Sequence, residues 1–102
     1  MMTHAAAIAG LTDKAGKGLC LTGPINFASV MSVYQQALPL INRQGNRLSI
    51  DLSGASHQDS SILALLTGWI RYTMGQDQQL TYTHIPQSLQ QLIQLHGLET
   101  VL

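Results

Sequence analysis

A chain of 102 residues with five basic and five acidic side chains can bury one modest core. It lacks the clustered Lys and Arg that nucleic-acid binding requires. With 45 % apolar and only 10 % charged residues, it has little polar surface to spare, so some apolar surface is expected to lie under another protein. Cys20 stands alone, which excludes an intrachain disulfide and a cysteine-based zinc site.

Residues 5–11 read as a first strand, although alanine suits a helix better. The run Ala5-Ala6-Ala7-Ile8-Ala9 has the look of a signal-peptide core. No Lys or Arg precedes it, however, and Asp13 and Lys14 soon follow. No apolar run approaches the roughly 20 residues needed to cross a bilayer, so the expectation is a soluble cytoplasmic protein without direct membrane insertion. Thr12 to Gly18 carries Asp13, Gly16 and Gly18 and reads as a hairpin turn. Leu19 to Thr22 is a strand closed by Gly23-Pro24, with Cys20 expected to be a small buried hydrophobe.

From Phe27 the spacing becomes helical. Phe27, Val30, Met31, Tyr34, Ala37, Leu38 and Ile41 recur at three- and four-residue intervals, with Asn26 as the N-cap. Pro39 should stop or kink that helix near Leu38. Arg47 to Ser53 alternates, with Leu48, Ile50 and Leu52 on one face and Ser49, Asp51 and Ser53 on the other. A second helix buries Ile62, Leu65, Leu66, Trp69 and Ile70 and stops at Gly75. Leu80 to Ile85 reads as a strand, and Pro86 opens a third helix that buries Leu89, Leu92 and Ile93 and ends at Gly97. Leu98 to Leu102 is an apolar tail, packed back on the domain or held by a partner.

The order β-β-α-β-α-β-α predicts an α/β fold: one domain over residues 1–102, a mixed sheet with helices packed on one face. The segment that carries most information joins the third strand to the second helix. It ends in Asp59-Ser60-Ser61, placing two hydroxyls and a carboxylate where free backbone N–H groups and the positive helix end favour phosphate or a partner's polar groups. These residue types also cap helices with no further role.

Ile50-Asp51-Leu52-Ser53, Asp59-Ser60-Ser61 and Leu63-Ala64-Leu65-Leu66 together resemble the core of the STAS domain. That is the fold of anti-sigma factor antagonists and of the MlaB-like subunit of phospholipid-transporting ABC systems. Leu19-Cys20-Leu21-Thr22-Gly23 and Ile85 through Leu98 extend the likeness over roughly residues 18–102. The resemblance implies a protein without enzymatic activity or cofactor. Its first function would be to dock, as a cytoplasmic subunit peripheral to the inner membrane, on the ATPase of a phospholipid ABC transporter that maintains outer-membrane lipid asymmetry. The alternative is an anti-sigma factor antagonist, switched by a partner kinase. Both roles fall by position on Ser60, as docking contact or phosphoacceptor, with Asp59 shaping the turn and Ser61 completing the hydroxyl pair. The chain departs from the family's pattern at Ile62, where glycine is usual, and the larger side chain is expected to crowd Ser60.

Ser60, Ala64, Gly68 and Arg71 lie three or four residues apart, a ridge of small side chains on which another backbone could pack, with Tyr72 as an aromatic anchor at its rim. Alternatively the ridge is a solvent-facing side that happens to carry small residues. His4, His57, His84 and His96 show no metal-ligand spacing. Ser60, His57 and Asp59 lack the Gly-x-Ser-x-Gly elbow of a hydrolase, and no phosphate-cradling loop is present, so any ATP would come from the partner.

Overall fold

The computed structural model describes residues 9–13 and 18–102. Within them β1 (Gly10–Asp13), β2 (Leu19–Ile25), α1 (Val30–Asn42), β3 (Arg47–His57), α2 (Ser61–Met74), β4 (Gln79–Thr83) and α3 (Gln87–Leu95) follow one another. The order is the one expected from the sequence. The sheet is mixed and runs β1-β2-β3-β4, with β1 antiparallel to β2 and the pairs β2–β3 and β3–β4 parallel.

Alternation along the strands decides which side of the sheet is covered. Leu19, Leu21, Leu48, Ile50, Leu52 and Tyr82 point to the side where Val33, Ala37 and Ile41 of α1, Leu65, Leu66 and Trp69 of α2, and Leu89 and Ile93 of α3 close a single core. The opposite face carries Thr22, Ser49, Asp51, Ser53 and Thr81, all partly or fully exposed. Cys20 belongs to this outer face. It is half-buried, 3.2 Å from the Thr12 hydroxyl, rather than buried among the leucines that flank it.

The first three strands differ in their bounds from the pattern-based reading. β1 lies at Gly10–Asp13, shifted from residues 5–11, because Thr12 and Asp13 pair with Cys20 and Leu19 instead of turning; residues 5–8 and 14–17 lie outside the described residues. β2 runs three residues longer than expected and β3 four, since Gly23, Pro24, Gly54 and Ala55 pair across the parallel ladder. Among the described residues β1 reaches only as far as Thr22, so no described strand calls on the N–H that Pro24 lacks. Gly23 has a φ of +88°, a left-handed backbone that glycine adopts without strain.

α1 shows the largest shift of register. Residues 27–29 form a turn, so Phe27 falls outside the helix and is 71 % exposed, and Met31 is 64 % exposed. The buried stripe is instead Val30, Val33, Tyr34, Ala37, Leu38 and Ile41, an unbroken three-and-four series that competes with the one starting at Phe27. Asn26 caps this turn: its Oδ1 accepts the Ala28 and Ser29 N–H groups and its carbonyl accepts that of Val30. Pro39 does not end the helix, which continues to Asn42 with the proline ring exposed. At the far end, the Gln78 side-chain amide donates to the carbonyls of Ile41, Gln44 and Gly45, tying the end of α1 to the start of β4.

β4 ends at Thr83 rather than Ile85, because His84 takes a φ of +53°. α3 closes as the sequence suggests. Gly97, with a φ of +68°, lets its own N–H reach the Gln94 carbonyl and the Leu98 N–H reach that of Ile93. The tail then folds back, packing Leu98 and Leu102 on the core and leaving Val101 half-exposed.

Candidate functional site

The parallel pairing of β2 and β3 brings the turns that follow them side by side. Each turn enters a helix, so the N-termini of α1 and α2 emerge together. Hydrogen bonds join them: Gln58 N–H to the Ile25 carbonyl, the Asn26 side-chain amide to Gln58 Oε1 at 2.6 Å, and Phe27 N–H to Asp59 Oδ2 at 3.0 Å. The second Asp59 oxygen accepts the Ser61 N–H at 2.9 Å. One carboxylate thus satisfies an orphan donor of α2 and a donor of the neighbouring turn.

Ser61 is the main cause of a lowered Asp59 pKa, through its side chain and its N–H, with smaller help from the Phe27 N–H and the neighbouring His57, all against a partial desolvation. The Ser61 hydroxyl lies near that carboxylate but is buried without a partner at hydrogen-bonding geometry. At 3 % exposure Ser61 cannot offer its hydroxyl to another protein in this arrangement.

Ser60 has the opposite environment. It occupies the N-cap position of α2, is exposed, and makes no side-chain capping bond. Ile62 is fully buried in the core, so it does not crowd Ser60 as its bulk had suggested; successive helical residues point about 100° apart, and two steps carry the side chain inward.

The expected ridge is divided by the packing of α1 on α2. Ala64 and Arg71 are exposed, but Gly68 is covered by Tyr34: a Cβ on residue 68 would lie 3.1 Å from the Tyr34 ring. Its lack of a side chain therefore serves a helix contact inside this chain. Tyr72 is half-buried and turned toward the end of α1, its hydroxyl donating to Asn42 Oδ1 at 2.7 Å, where Gln76 donates as well. The outward path along α2 is Ser60, Ala64, the half-buried Thr67, Arg71 and Met74, again at three- and four-residue steps.

Two depressions flank this path. A small apolar notch of about 200 Å³ lies toward α1, between Val30, Met31 and Tyr34 on one side and Ala64 and Leu65 on the other. A larger groove of about 730 Å³ lies toward the C-terminal segment, where His96, Leu98 and Val101 face α2. Periodicity alone does not reveal the second groove, because its far wall comes from the tail. Met74, an apolar residue off the buried stripe and 69 % exposed, was the available signal.

Residues 11–102 match the family model described as Mlab, STAS domain. The chain belongs to the MlaB-like STAS-domain family. The match spans β1 through the tail and so includes the hairpin strand for which the sequence pattern alone offered no likeness. No curated protein matches the chain. STAS domains of this kind are regulatory modules that act through protein–protein contacts and are generally without enzymatic activity. Among the described residues, no helix is long and apolar enough to cross a membrane.

Proposed function

We propose that this STAS domain is a non-enzymatic subunit that docks on the cytoplasmic ATPase of a phospholipid-transporting ABC system through the head of α2. The observation that carries the reading is the exposed Ser60 hydroxyl. It is free of any capping bond and stands on a turn held by Asp59 and Gln58, with exposed Ala64 one helical turn further on. A small side chain beside a free hydroxyl on a rigid turn lets a partner backbone approach closely and hydrogen-bond without first ordering the loop. Phe27 and Met31, exposed beside the apolar notch, supply nonpolar area at the same end.

The test is calorimetric binding of the purified chain to the cytoplasmic ATPase of a phospholipid-transporting ABC system from the same organism. Ser60→Glu and Ala64→Trp are expected to abolish the binding heat while thermal midpoints stay within a few degrees, since acid at an N-cap favours the helix and Ala64 is exposed. Undiminished affinity in both variants defeats the proposal.

The accessibility of Ser60 also supports a second reading, an anti-sigma factor antagonist regulated by phosphorylation there. The phosphate would add about two negative charges at a helix N-terminus, where they are tolerated, and would oppose apolar docking. Incubation with the cognate serine kinase and ATP, followed by mass measurement, should then add one phosphate at Ser60; an unchanged mass rejects this reading.

A further inference from the structure

The groove between α2 and the C-terminal segment holds a charge with nothing to meet it. Arg71 lines it and is exposed, yet among the described residues its guanidinium makes no hydrogen bond and no ion pair. No carboxylate lines the groove: Asp59 is engaged in its turn, Asp51 stands near His84, Asp77 follows α2, and Glu99 faces a different hollow. The remaining walls are mainly apolar, with Leu63, Ile70, Met74, Leu98 and Val101 contributing. α2 spans 14 residues, so the groove has a floor about 21 Å long.

We infer that this groove seats an amphipathic helical segment of the protein partner, its apolar face over Met74 and Val101 and one of its carboxylates on Arg71. The inference rests on the docking function proposed above and adds where the partner lies and what it must carry. Charge complementarity selects the occupant. Covering Arg71 with a purely apolar segment would leave a guanidinium desolvated and unpaired, which is strongly unfavourable. A carboxylate converts the same burial into a paired, geometrically specific contact. The open side of the groove suits a chain segment laid along α2, continuous with Ser60 and Ala64 at its upper end.

The experiment uses the intact chain and the same ABC-system ATPase in the same calorimeter, with Arg71→Glu, Arg71→Lys and Met74→Asp beside the unmodified protein and Ser60→Glu. Among the described residues Arg71 makes no side-chain bond, and Met74 is 69 % exposed, so Arg71→Lys should keep the parent's thermal midpoint. Arg71→Glu and Met74→Asp place a carboxylate in the last turn of α2 and should lower it by only a few degrees, leaving the chain folded at the assay temperature. Arg71→Glu and Met74→Asp are expected to weaken binding roughly tenfold or more, and Arg71→Lys by only a few-fold. Amide shifts of a ¹⁵N-labelled sample should move along residues 63–74 and 98–101 on addition of the ATPase. If Arg71→Glu and Met74→Asp bind like the parent while Ser60→Glu does not, the groove is not the seat and docking at the turn stands. If the unmodified chain gives no binding heat, the functional reading fails and this inference falls with it.

Discussion

Tyr82→Phe isolates one hydrogen bond that sets α2 against the sheet. The Tyr82 hydroxyl donates to the Leu66 carbonyl at 2.7 Å, and the side chain is 7 % exposed. Phenylalanine preserves the ring and its packing, and Leu66 remains an interior carbonyl of α2, so the loss is close to that of one net hydrogen bond, about 1 kcal/mol. For 102 residues, an unfolding entropy of about 0.2 kcal/mol/K converts that loss into a fall of about 5 °C in Tm near pH 7. Burial also pushes the Tyr82 pKa well above its ordinary value. The raised folded value means that the stabilisation is complete below about pH 10 and is lost as the pH climbs toward the folded pKa, because the unfolded chain gives up the proton first. The parent should therefore lose stability above about pH 10 more steeply than the variant. Thermal melts followed by circular dichroism at pH 7 and at about pH 10.5 measure both effects. An unchanged Tm at pH 7, or a gap between the two proteins that does not narrow in alkali, would refute the reasoning.

Gly68→Leu should destabilise the domain by about 1–3 kcal/mol, because the new side chain meets the Tyr34 ring and forces α1 from α2; a Tm equal to the parent's would mean that the interhelical contact yields freely. Pro39→Ala should raise the Tm by several degrees, since it returns a backbone donor to the exposed last turns of α1 at a site where no packing is lost, and a melt showing no gain counts against a helix continuing to Asn42. Asp59→Asn should speed amide exchange at Phe27 and Ser61, read by NMR, with no matching change at Ile93. The lowered folded pKa of Asp59 means that its stabilisation is present above about pH 4 and vanishes as the pH falls through the folded value, so the variant's Tm should vary less than the parent's between about pH 5 and pH 2.

Much of this architecture was legible because hydrophobic period and punctuation agree. The alternation of Leu48, Ile50 and Leu52, the stripe from Ile62 to Trp69, and the stops at Gly75 and Gly97 each arise from one local cause that tertiary contacts reinforce. The misreadings share a different origin. Gly23-Pro24 reads as a terminator because the sequence does not show that Gly54 and Ala55, about 30 residues on, extend the parallel pairing past it. Phe27 and Met31 join the α1 stripe only if the helix begins three residues early, and the Asn26-capped turn decides that question. At the site, Ser60 and Ala64 were recognisable from a turn motif and helical spacing. The cover over Gly68, by contrast, depends on a tyrosine 34 residues away, and the wall facing Arg71 depends on how the tail folds back. Long-range pairing of this kind has no periodic trace.

The inward and outward assignment of three consecutive residues after Asp59 separates two kinds of selection. Changes at exposed position 60 leave the interior untouched, whereas changes at 61 and 62 reach the leucine-rich centre at once. Under the docking function proposed above, contact chemistry can therefore be redesigned at the bench one residue away from positions whose alteration disturbs the packing.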